Sequence, residues 1–375
     1  MLDPLHLDAL CREPRAVRPL IDYLRATGYT LPAVALMVGD PEPANFIVNA
    51  GRCAFLYDDE LREHESPLAL LARLFLLGGT IESAQYRAIV PATIRDVLET
   101  RMLVREHDRA ITAEVAIVEQ DGSYLVSDKL FDNRDGTIEV HDDAHAVWPM
   151  SEWSLTLFSR LATEPRWTSL LDVGCGTGCM SLLARTRYAR LVGFDLNPRA
   201  VGFAKLNAAL CGATVQYEVA DCLSYTSPTR FDHVVFAAPA GPSVDAVGAE
   251  GAMVSYGGRL GHELALRFMA ERADALMASG GCCQVWSIFA VSRAFGGVRE
   301  LVESSLPKRR FAVAVDEVRS GGLFLSRDHI ATEKVPPGCH YARGEAAAEL
   351  LRWLRANEVV EVVSAVVTLR DQNPA

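Results

Sequence analysis

The chain has 375 residues, of which 50% are hydrophobic and 23% are charged, and its formal net charge is −11. A chain of this length and apolar content buries more core than one domain needs, so we expect two domains. The acidic balance argues against nonspecific binding of nucleic acids, because the phosphate backbone attracts surfaces rich in Lys and Arg.

The N-terminal part of the chain predicts a helical module. Apolar residues recur at helical spacing over residues 5–27. Ser66-Pro67 has the sequence of an N-cap followed by a first-turn proline, which predicts the start of another helix. Two more short helices are predicted at 81–86 and 91–98. These segments therefore favour a domain built mainly from short helices.

Two alternating runs, 113–118 and 123–126, follow the predicted helices. The turn signal between them, at 119–122, predicts a β-hairpin. Three helices followed by a hairpin are the outline of a winged helix. The helix that would read base edges, 91–100, contains a single basic residue, Arg95, so the module is better interpreted as a dimerisation or substrate-lid element than as a DNA reader. A homodimer formed through it is one expectation.

A polar segment rich in Asp separates this module from the rest of the chain. We place the boundary there, with an N-terminal domain at 1–145 and a catalytic domain at 146–375. The second domain opens on 147–153, a stretch that contains Trp148 and Glu152. Glu152 is a candidate catalytic residue, and an ordinary acidic residue at a helix N-terminus is the alternative interpretation.

The stretch from Leu170 to Gly178 predicts a strand, a tight turn and the start of a helix. A short apolar run enters it, glycines alternate through it, and Cys179 to Ala184 leaves it with helical spacing. Glycines suit such a turn because the backbone bends sharply and its N–H groups approach a ligand without a Cβ in the way. The pattern predicts a ligand pocket at the carboxyl end of this strand.

Acidic residues stand at or near the ends of three successive predicted strands. Asp172 lies in the first, Asp195 ends the second, and Asp221 follows the third. At these positions one carboxylate would accept hydrogen bonds from ribose hydroxyls and another would read an adenine edge. The three residues together predict a nucleoside site.

This pattern resembles the Rossmann-like, class I S-adenosylmethionine-dependent methyltransferases over about residues 150–292. The resemblance implies an α/β fold with a seven-stranded sheet, preceded here by the smaller winged-helix-like domain. It implies S-adenosylmethionine as cofactor, with donor contacts at Asp172, Gly174, Cys175, Gly176, Gly178, Asp195, Leu196, Asn197, Asp221, Cys222 and Ala237. A nicotinamide dehydrogenase is the alternative, but such an enzyme would bind a diphosphate at the helix start. The carboxylate of Asp172, next to the glycines, suits a cationic amino-acid ligand better than a diphosphate.

Within that class, residues 147–153 are similar to the Pro-x-Thr-Glu segment of the release-factor glutamine methyltransferases, with Trp148 in place of the usual arginine. In those enzymes a strand ends in Asn-Pro-Pro-Tyr, whose amide and aromatic ring hold a planar amide or amine. The corresponding residues here are Ala237-Ala238-Pro239-Ala240. The amide and the ring are both absent, which argues against methylation of glutamine or of a nucleobase amino group by that mechanism.

The segment after this motif keeps the family pattern. Residues 256–261 and the predicted helix 262–276 match the Gly-Gly-x-x-Gly segment and helix of the same enzymes. Candidate catalytic residues are Glu152, Tyr256 and His262, because a base near the donor could accept the acceptor's proton. Candidate substrate contacts are Trp148, Pro239, Ser243 and Asp245.

Two strand-like runs, 311–318 and 359–369, predict an antiparallel pair that completes the sheet edge. An insertion near 320–345 separates them and would wall a substrate pocket. The nine cysteines include no C-x-x-C pair and indicate reduced thiols, which favours a cytoplasmic protein. No apolar run is long enough for a membrane span, and no metal site is predicted.

The leading hypothesis is methyl transfer to a small-molecule acceptor at nitrogen, oxygen or carbon, in specialised metabolite biosynthesis. One alternative is a protein or RNA methyltransferase like the parent family. An alternative of another class is a donor-binding regulatory protein whose winged helix binds DNA.

Overall fold

A computed structural model describes residues 2–48, 50–134, 137–141, 145–240, 257–307, 311–318, 348–349 and 351–371. Three candidate site residues, Ser243, Asp245 and Tyr256, lie outside the described residues, and so does the predicted insertion at 320–345. The predictions made for them stay predictions.

The N-terminal part is helical, as its apolar spacing predicts. A 3-10 turn, Pro14–Val17, separates the first two helices, because each proline favours a new helical start. Ser66 caps its helix by accepting a hydrogen bond from the Ala69 N–H at 3.2 Å, which confirms the predicted N-cap. The helices are α1 (Pro4–Arg12), α2 (Arg18–Ala26), α3 (Leu31–Met37), α4 (Asn45–Val48), α5 (Ala50–Glu63), α6 (Pro67–Phe75), α7 (Ser83–Ile89) and α8 (Ala92–Thr100).

Short antiparallel strands accompany these helices. The predicted hairpin is present: β4 (Val115–Gln120) pairs with β5 (Ser123–Asp128) in a two-stranded sheet. A second hairpin, β2 (Val104–His107) with β3 (Ala110–Ala113), precedes it in the chain and forms a separate sheet with β1 (Thr80–Glu82), in the order β1-β3-β2. The strands are β1 (Thr80–Glu82), β2 (Val104–His107), β3 (Ala110–Ala113), β4 (Val115–Gln120), β5 (Ser123–Asp128), β6 (Phe131–Arg134) and β7 (Thr137–Val140).

The second half of the chain forms a seven-stranded sheet, which confirms the predicted α/β class. Its strands are β8 (Ser169–Val173), β9 (Arg190–Asp195), β10 (Gln216–Val219), β11 (Phe231–Ala237), β12 (Met277–Ser292), β13 (Phe311–Glu317) and β14 (Val359–Asp371). Their order is β10-β9-β8-β11-β12-β14-β13. Every pairing is parallel except those of β14, which is antiparallel to both neighbours, as predicted for the last two strands.

Helices cover both faces of this sheet because its strands carry apolar side chains on both sides. Along β8, Leu170 belongs to one core cluster and Leu171 and Val173 belong to the other. The flanking helices are α9 (Glu152–Ser159), α10 (Cys179–Leu183), α11 (Pro198–Cys211), α12 (Glu263–Glu271), α13 (Ala273–Leu276) and α14 (Val298–Ser305). The reversal of strand order between β8 and β11 leaves a crevice at their carboxyl ends, where α/β sheets bind ligands.

The two halves of the chain share one core. Asn207 on α11 accepts a hydrogen bond from the Val126 N–H at 2.8 Å and donates one to the Val126 carbonyl at 2.9 Å. The Cys11 thiol donates to the carbonyl of Gly202 on the same helix. These hydrogen bonds join residues on the two sides of the predicted domain boundary at 145/146, and the boundary stays a prediction.

Among the described residues, no helix combines the length and the apolar content that a membrane crossing requires. The same residues contain no group of three His, Cys, Asp or Glu side chains arranged to hold a metal ion.

Candidate functional site

The loop that follows β8 bends through three glycines with positive φ: 61° at Gly174, 54° at Gly176 and 79° at Gly178. A Cβ added at Gly178 would lie 2.5 Å from the Tyr217 hydroxyl, and one at Gly174 would lie 3.2 Å from the Phe236 ring. A Cβ at Gly176 would meet no protein atom within 4 Å. Of the three glycines, Gly176 is therefore the one with open space beside its Cα, and it lines the adjoining cavity.

A cavity of about 720 Å³ opens at the carboxyl ends of the central strands. Its volume lies in the range of about 300–1,000 Å³ that is usual for small-molecule sites. Trp148 and Pro239 line it. So do all but one of the predicted donor contacts: Asp172, Gly174, Cys175, Gly176, Asp195, Leu196, Asn197, Asp221, Cys222 and Ala237. The exception is Gly178, which lies close to Tyr217 and is not among the residues that line the cavity, so its donor contact stays a prediction.

Asp195 connects the glycine loop to the start of α11. Its Oδ2 accepts a hydrogen bond from the Gly176 N–H at 2.9 Å, and its Oδ1 accepts one from the Asn197 N–H at 2.9 Å. Burial raises the pKa of Asp195, although these two bonds act in the opposite direction. A carboxylate has about four acceptor positions, so Asp195 can accept two further bonds from a ligand.

Asp172 is almost completely buried, with 2% of its surface exposed. Its Oδ2 accepts a hydrogen bond from the Ser181 N–H at 3.0 Å. Burial raises the pKa of Asp172 to about 7, and the nearby Asp195 carboxylate adds to the rise. A cationic group in the cavity would favour the ionised form of this carboxylate, because opposite charges attract strongly where water is excluded.

Asp221 and Leu196 form the end of the cavity beside β9 and β10. Asp221 Oδ1 accepts a hydrogen bond from the Leu223 N–H at 3.0 Å, and the residue is otherwise exposed. Leu196 is also exposed, at 55%, although it is large and apolar. An exposed apolar side chain beside a carboxylate provides a surface for a flat ring and an acceptor for that ring's amino hydrogens.

The segment 145–151 borders the same cavity, and hydrogen bonds with Asn197 and Asp128 hold it in place. Asn197 donates from Nδ2 to the His145 carbonyl at 2.9 Å. Asp128, which is fully buried, accepts a hydrogen bond from the Val147 N–H at 2.9 Å and forms a bidentate ion pair with Arg199. One carboxylate therefore joins β5, the cavity wall and the first turn of α11.

The helix that follows this segment is capped by Ser151, whose hydroxyl accepts a hydrogen bond from the Ser154 N–H at 3.3 Å. Glu152 is the first residue of α9, and its side chain lies outside the described part of the structure. Its neighbours Ser151, Trp153 and Ser154 all line the cavity. The catalytic role of Glu152 stays a prediction.

His262 lies away from the cavity. It is 3% exposed, its Nδ1 accepts a hydrogen bond from the Ala290 N–H at 3.1 Å, and its ring stacks on Phe289. Burial lowers the pKa of His262. The side chain joins α12 to β12 in the core and is not among the described residues that line the cavity, and its catalytic role stays a prediction.

Two tryptophans that sequence reasoning missed form the wall of the cavity beside β11 and β12. Trp153 and Trp286 are stacked, with ring centroids 4.9 Å apart and planes inclined by 17°. Trp286 lies opposite Ala237 across the β11–β12 pairing, and its Nε1 donates to the Ser364 hydroxyl at 3.0 Å. The sequence carries no motif for this pair, since the two residues lie more than 100 positions apart.

Comparison with known proteins places residues 170–249 in a family described as a methyltransferase domain. A release factor glutamine methyltransferase of Deinococcus radiodurans is 31% identical over 155 residues, which cover 39% of this chain and 55% of that protein. A putative protein N5-glutamine methyltransferase of Methanocaldococcus jannaschii is 30% identical over 146 residues, covering 37% and 71% respectively. A ubiquinone biosynthesis O-methyltransferase of Paraburkholderia xenovorans is 37% identical over 104 residues, covering 25% and 45%. The chain thus spans about half the length of the first of these relatives.

Proposed function

Because this chain belongs to the class I S-adenosylmethionine-dependent methyltransferases, we propose that it transfers the methyl group of S-adenosylmethionine to a small-molecule acceptor. The observation that carries this proposal is the set of three carboxylates, Asp172, Asp195 and Asp221, which line one cavity beside the glycine loop. Asp195 would accept the ribose hydroxyls, and Asp172 would face the cationic amino-acid part. The donor would fill the space that a Cβ at Gly176 would occupy.

The transfer is an in-line displacement. When bound, S-adenosylmethionine would supply a methyl group on a positively charged sulfur, and a lone pair of the acceptor would form a bond to the methyl carbon while the bond from that carbon to sulfur breaks with its electrons going to sulfur. The acceptor's proton would pass to a base at the site, for which Glu152 is a candidate. The protein's contribution is to align the three atoms and exclude water. Residues 146–151 support this proposal, because they line the same cavity as the glycine loop.

The acceptor side supports a small molecule because the family's amide clamp is missing. Ala237 and Ala238 carry only methyl groups, and Pro239 is the one proline that remains of the motif. A glutamine side chain or nucleobase amino group would find no amide at position 237 to orient its hydrogens. Protein glutamine methylation, which the names of two relatives suggest, is the second candidate.

DNA binding by the N-terminal module is the weakest candidate. Basic residues there are compensated by acidic partners: Arg87 pairs with Glu106 at 2.8 Å and Arg105 pairs with Glu114 at 3.2 Å. Neutralised arginines release few counterions from DNA, which removes most of the affinity. A gel-shift measurement with random duplex DNA at low salt should show no retained complex, and a salt-dependent complex would favour the regulatory alternative.

Binding of S-adenosylmethionine should depend on pH through Asp172. Since burial raises the pKa of this carboxyl to about 7, a cationic ligand must displace its proton at lower pH. We expect the affinity to fall by about tenfold for each pH unit below about 6, and to change little between about pH 7 and 7.5.

Calorimetry at several pH values measures this dependence. The Asp172→Asn variant is the matched control, because it cannot ionise and its affinity should stay constant over the same range. A wild-type affinity that does not change between pH 5 and pH 7 would show that Asp172 does not interact with the cationic part of the ligand.

Restoring the family's amide should not restore the family's reaction. In the Ala237→Asn variant, we expect no transfer of labelled methyl groups to a release factor or to adenine-containing DNA. The second proline and the stacking aromatic ring are still missing, so one amide cannot hold the acceptor in line. Turnover of either substrate would show that the loss of the motif has been misinterpreted.

A further inference from the structure

The two ends of the cavity differ in chemistry. The three carboxylates lie at the ends of β8, β9 and β10, whereas β11 and β12 contribute Ala237 and Trp286. Neighbouring strands are about 4.8 Å apart, so the five strand ends span about 19 Å. The cavity is therefore long enough to separate a polar nucleoside end from a second, apolar end.

The apolar end is built around the two stacked indoles, and we call it the indole wall: Trp153, Trp286, Ala237, Ala238 and Leu264. All five line the cavity. The backbone fixes the wall at β11 and β12, because the Ala238 N–H donates to the Trp286 carbonyl at 3.0 Å. At the position where the related enzymes have the Asn amide, this chain has the methyl group of Ala237, which lies opposite Trp286.

The described residues that line the indole wall carry no charge. Among the described residues of the whole cavity, the charged ones are the three aspartates at the other end. Ser151, the N-cap of α9, and Ser154 on that helix also line the cavity, and their hydroxyls lie 3.3 Å apart. Burying an ionised group against such a wall is unfavourable unless the charge is paired, whereas a neutral ring gains from contact with indole.

We propose that the indole wall binds an uncharged, planar aromatic ring of the methyl acceptor, with a hydroxyl or amino group as the methylated atom. This inference rests on the proposed function, because it names the substrate class of the same site. The ring packs against the partly exposed indole of Trp153 beside Ala237, with the buried Trp286 stacked on that indole from the core side, and its polar substituent points toward the donor's sulfur end of the cavity. The serine hydroxyls on α9 provide neutral hydrogen-bond partners for that substituent.

The experiment uses 2-naphthol as a probe, titrated by calorimetry into the full-length protein saturated with S-adenosylhomocysteine. Two matched probes separate the contributions: 2-naphthalenesulfonate has the same rings with a negative charge, and decahydro-2-naphthol has the same outline without aromaticity. We expect 2-naphthol to bind at least about tenfold more tightly than either, because stacking and the absence of charge both favour it. Equal binding of the anionic probe, or no binding of 2-naphthol, would overturn the proposal.

Two variants locate the probe. In Trp153→Ala, the 2-naphthol affinity should fall at least about tenfold, and in Trp153→Phe most of it should return. In Ala237→Asp, a charge beside Trp286 should abolish 2-naphthol binding. Binding that is unchanged in both Trp153→Ala and Ala237→Asp would overturn the assignment of the ring to this wall.

The affinity for S-adenosylhomocysteine, measured on the same samples, separates this inference from the proposed function. It should stay within about twofold of the parent value in Trp153→Ala, because the carboxylate end is unchanged. A parent protein that binds no S-adenosylhomocysteine would instead refute the methyltransferase proposal itself. A protein that binds this product but not 2-naphthol would refute only the aromatic acceptor.

Discussion

Replacing Asp195 with alanine is expected to weaken the binding of S-adenosylhomocysteine by about 100-fold or more. Hydrogen bonds to a charged acceptor contribute about 1.5–3 kcal/mol each, and two ribose hydroxyls would lose theirs. The substitution also removes the acceptor for the Gly176 and Asn197 N–H groups, each of which now donates to Asp195 at 2.9 Å. The glycine loop would lose this connection to the start of α11, although Asn207 of the same helix still donates to the Thr177 carbonyl at 3.0 Å. Calorimetry with S-adenosylhomocysteine measures the loss of affinity.

The Asp195→Asn variant is the matched control for this measurement. It keeps one acceptor oxygen and the side-chain volume, so its affinity should lie between those of the parent and Asp195→Ala. Thermal unfolding of all three proteins shows whether the loss of binding follows from loss of the fold. A folded Asp195→Ala protein that bound as tightly as the parent would contradict the assignment of the ribose to this carboxylate.

The second large effect is expected from Asp128→Ala, and it acts on stability. Asp128 is fully buried, and Arg199, whose side chain is 11% exposed, depends on it for its ion pair. Removing one partner of a buried pair leaves the other charge uncompensated, which costs about 3–5 kcal/mol of unfolding free energy. The Val147 N–H, at 2.9 Å from Asp128, would also lose its acceptor, so the cavity wall would loosen.

Chemical denaturation measures this change, and an exposed ion pair of the same chain provides the control. Arg267 and Glu271 lie 3.1 Å apart with about half of each side chain exposed, so Glu271→Ala should cost only about 0.5 kcal/mol. An Asp128→Ala protein as stable as the Glu271→Ala protein would show that the buried pair does not hold the wall.

The sequence predicts well that the three acidic residues come together in one cavity, because the signals for their positions are local. Asp172 and Asp195 stand in or at the ends of apolar runs that become neighbouring parallel strands. The carboxyl ends of such strands meet at one edge of the sheet, so the residues come together without further information. The same reasoning brings Asp221 to this edge, two residues beyond β10.

Three-dimensional packing decides what the local pattern leaves open. Gly176 and Gly178 are equivalent in the motif, yet one faces the cavity and the other lies against Tyr217. His262 begins a predicted helix near the donor, but its ring belongs to the core beside Phe289. Trp286 could be predicted as a strand residue, whereas its contact with Trp153 depends on how α9 lies on the sheet.

The hairpin predicted for the N-terminal domain is present, but a second hairpin that precedes it in the chain has no clear sequence signal. The turn between β2 and β3 is formed by Asp108 and Arg109, which have φ of 49° and 67°. Tight hairpin turns with positive φ usually carry Gly or Asn, so the sequence does not predict this turn. The following turn contains Gly122 and has such a signal, and the pattern predicts its hairpin, β4–β5, correctly.

The most direct test is a crystal structure of the protein with S-adenosylhomocysteine bound. We expect the nucleoside in the cavity beside Gly176, with the Asp195 carboxylate within hydrogen-bond distance of both ribose hydroxyls and Asp221 beside the adenine. The sulfur should point toward Ala237 and the indole wall. An empty cavity at saturating ligand, or a ligand bound elsewhere on the chain, would contradict the assignment of this cavity to the methyl donor.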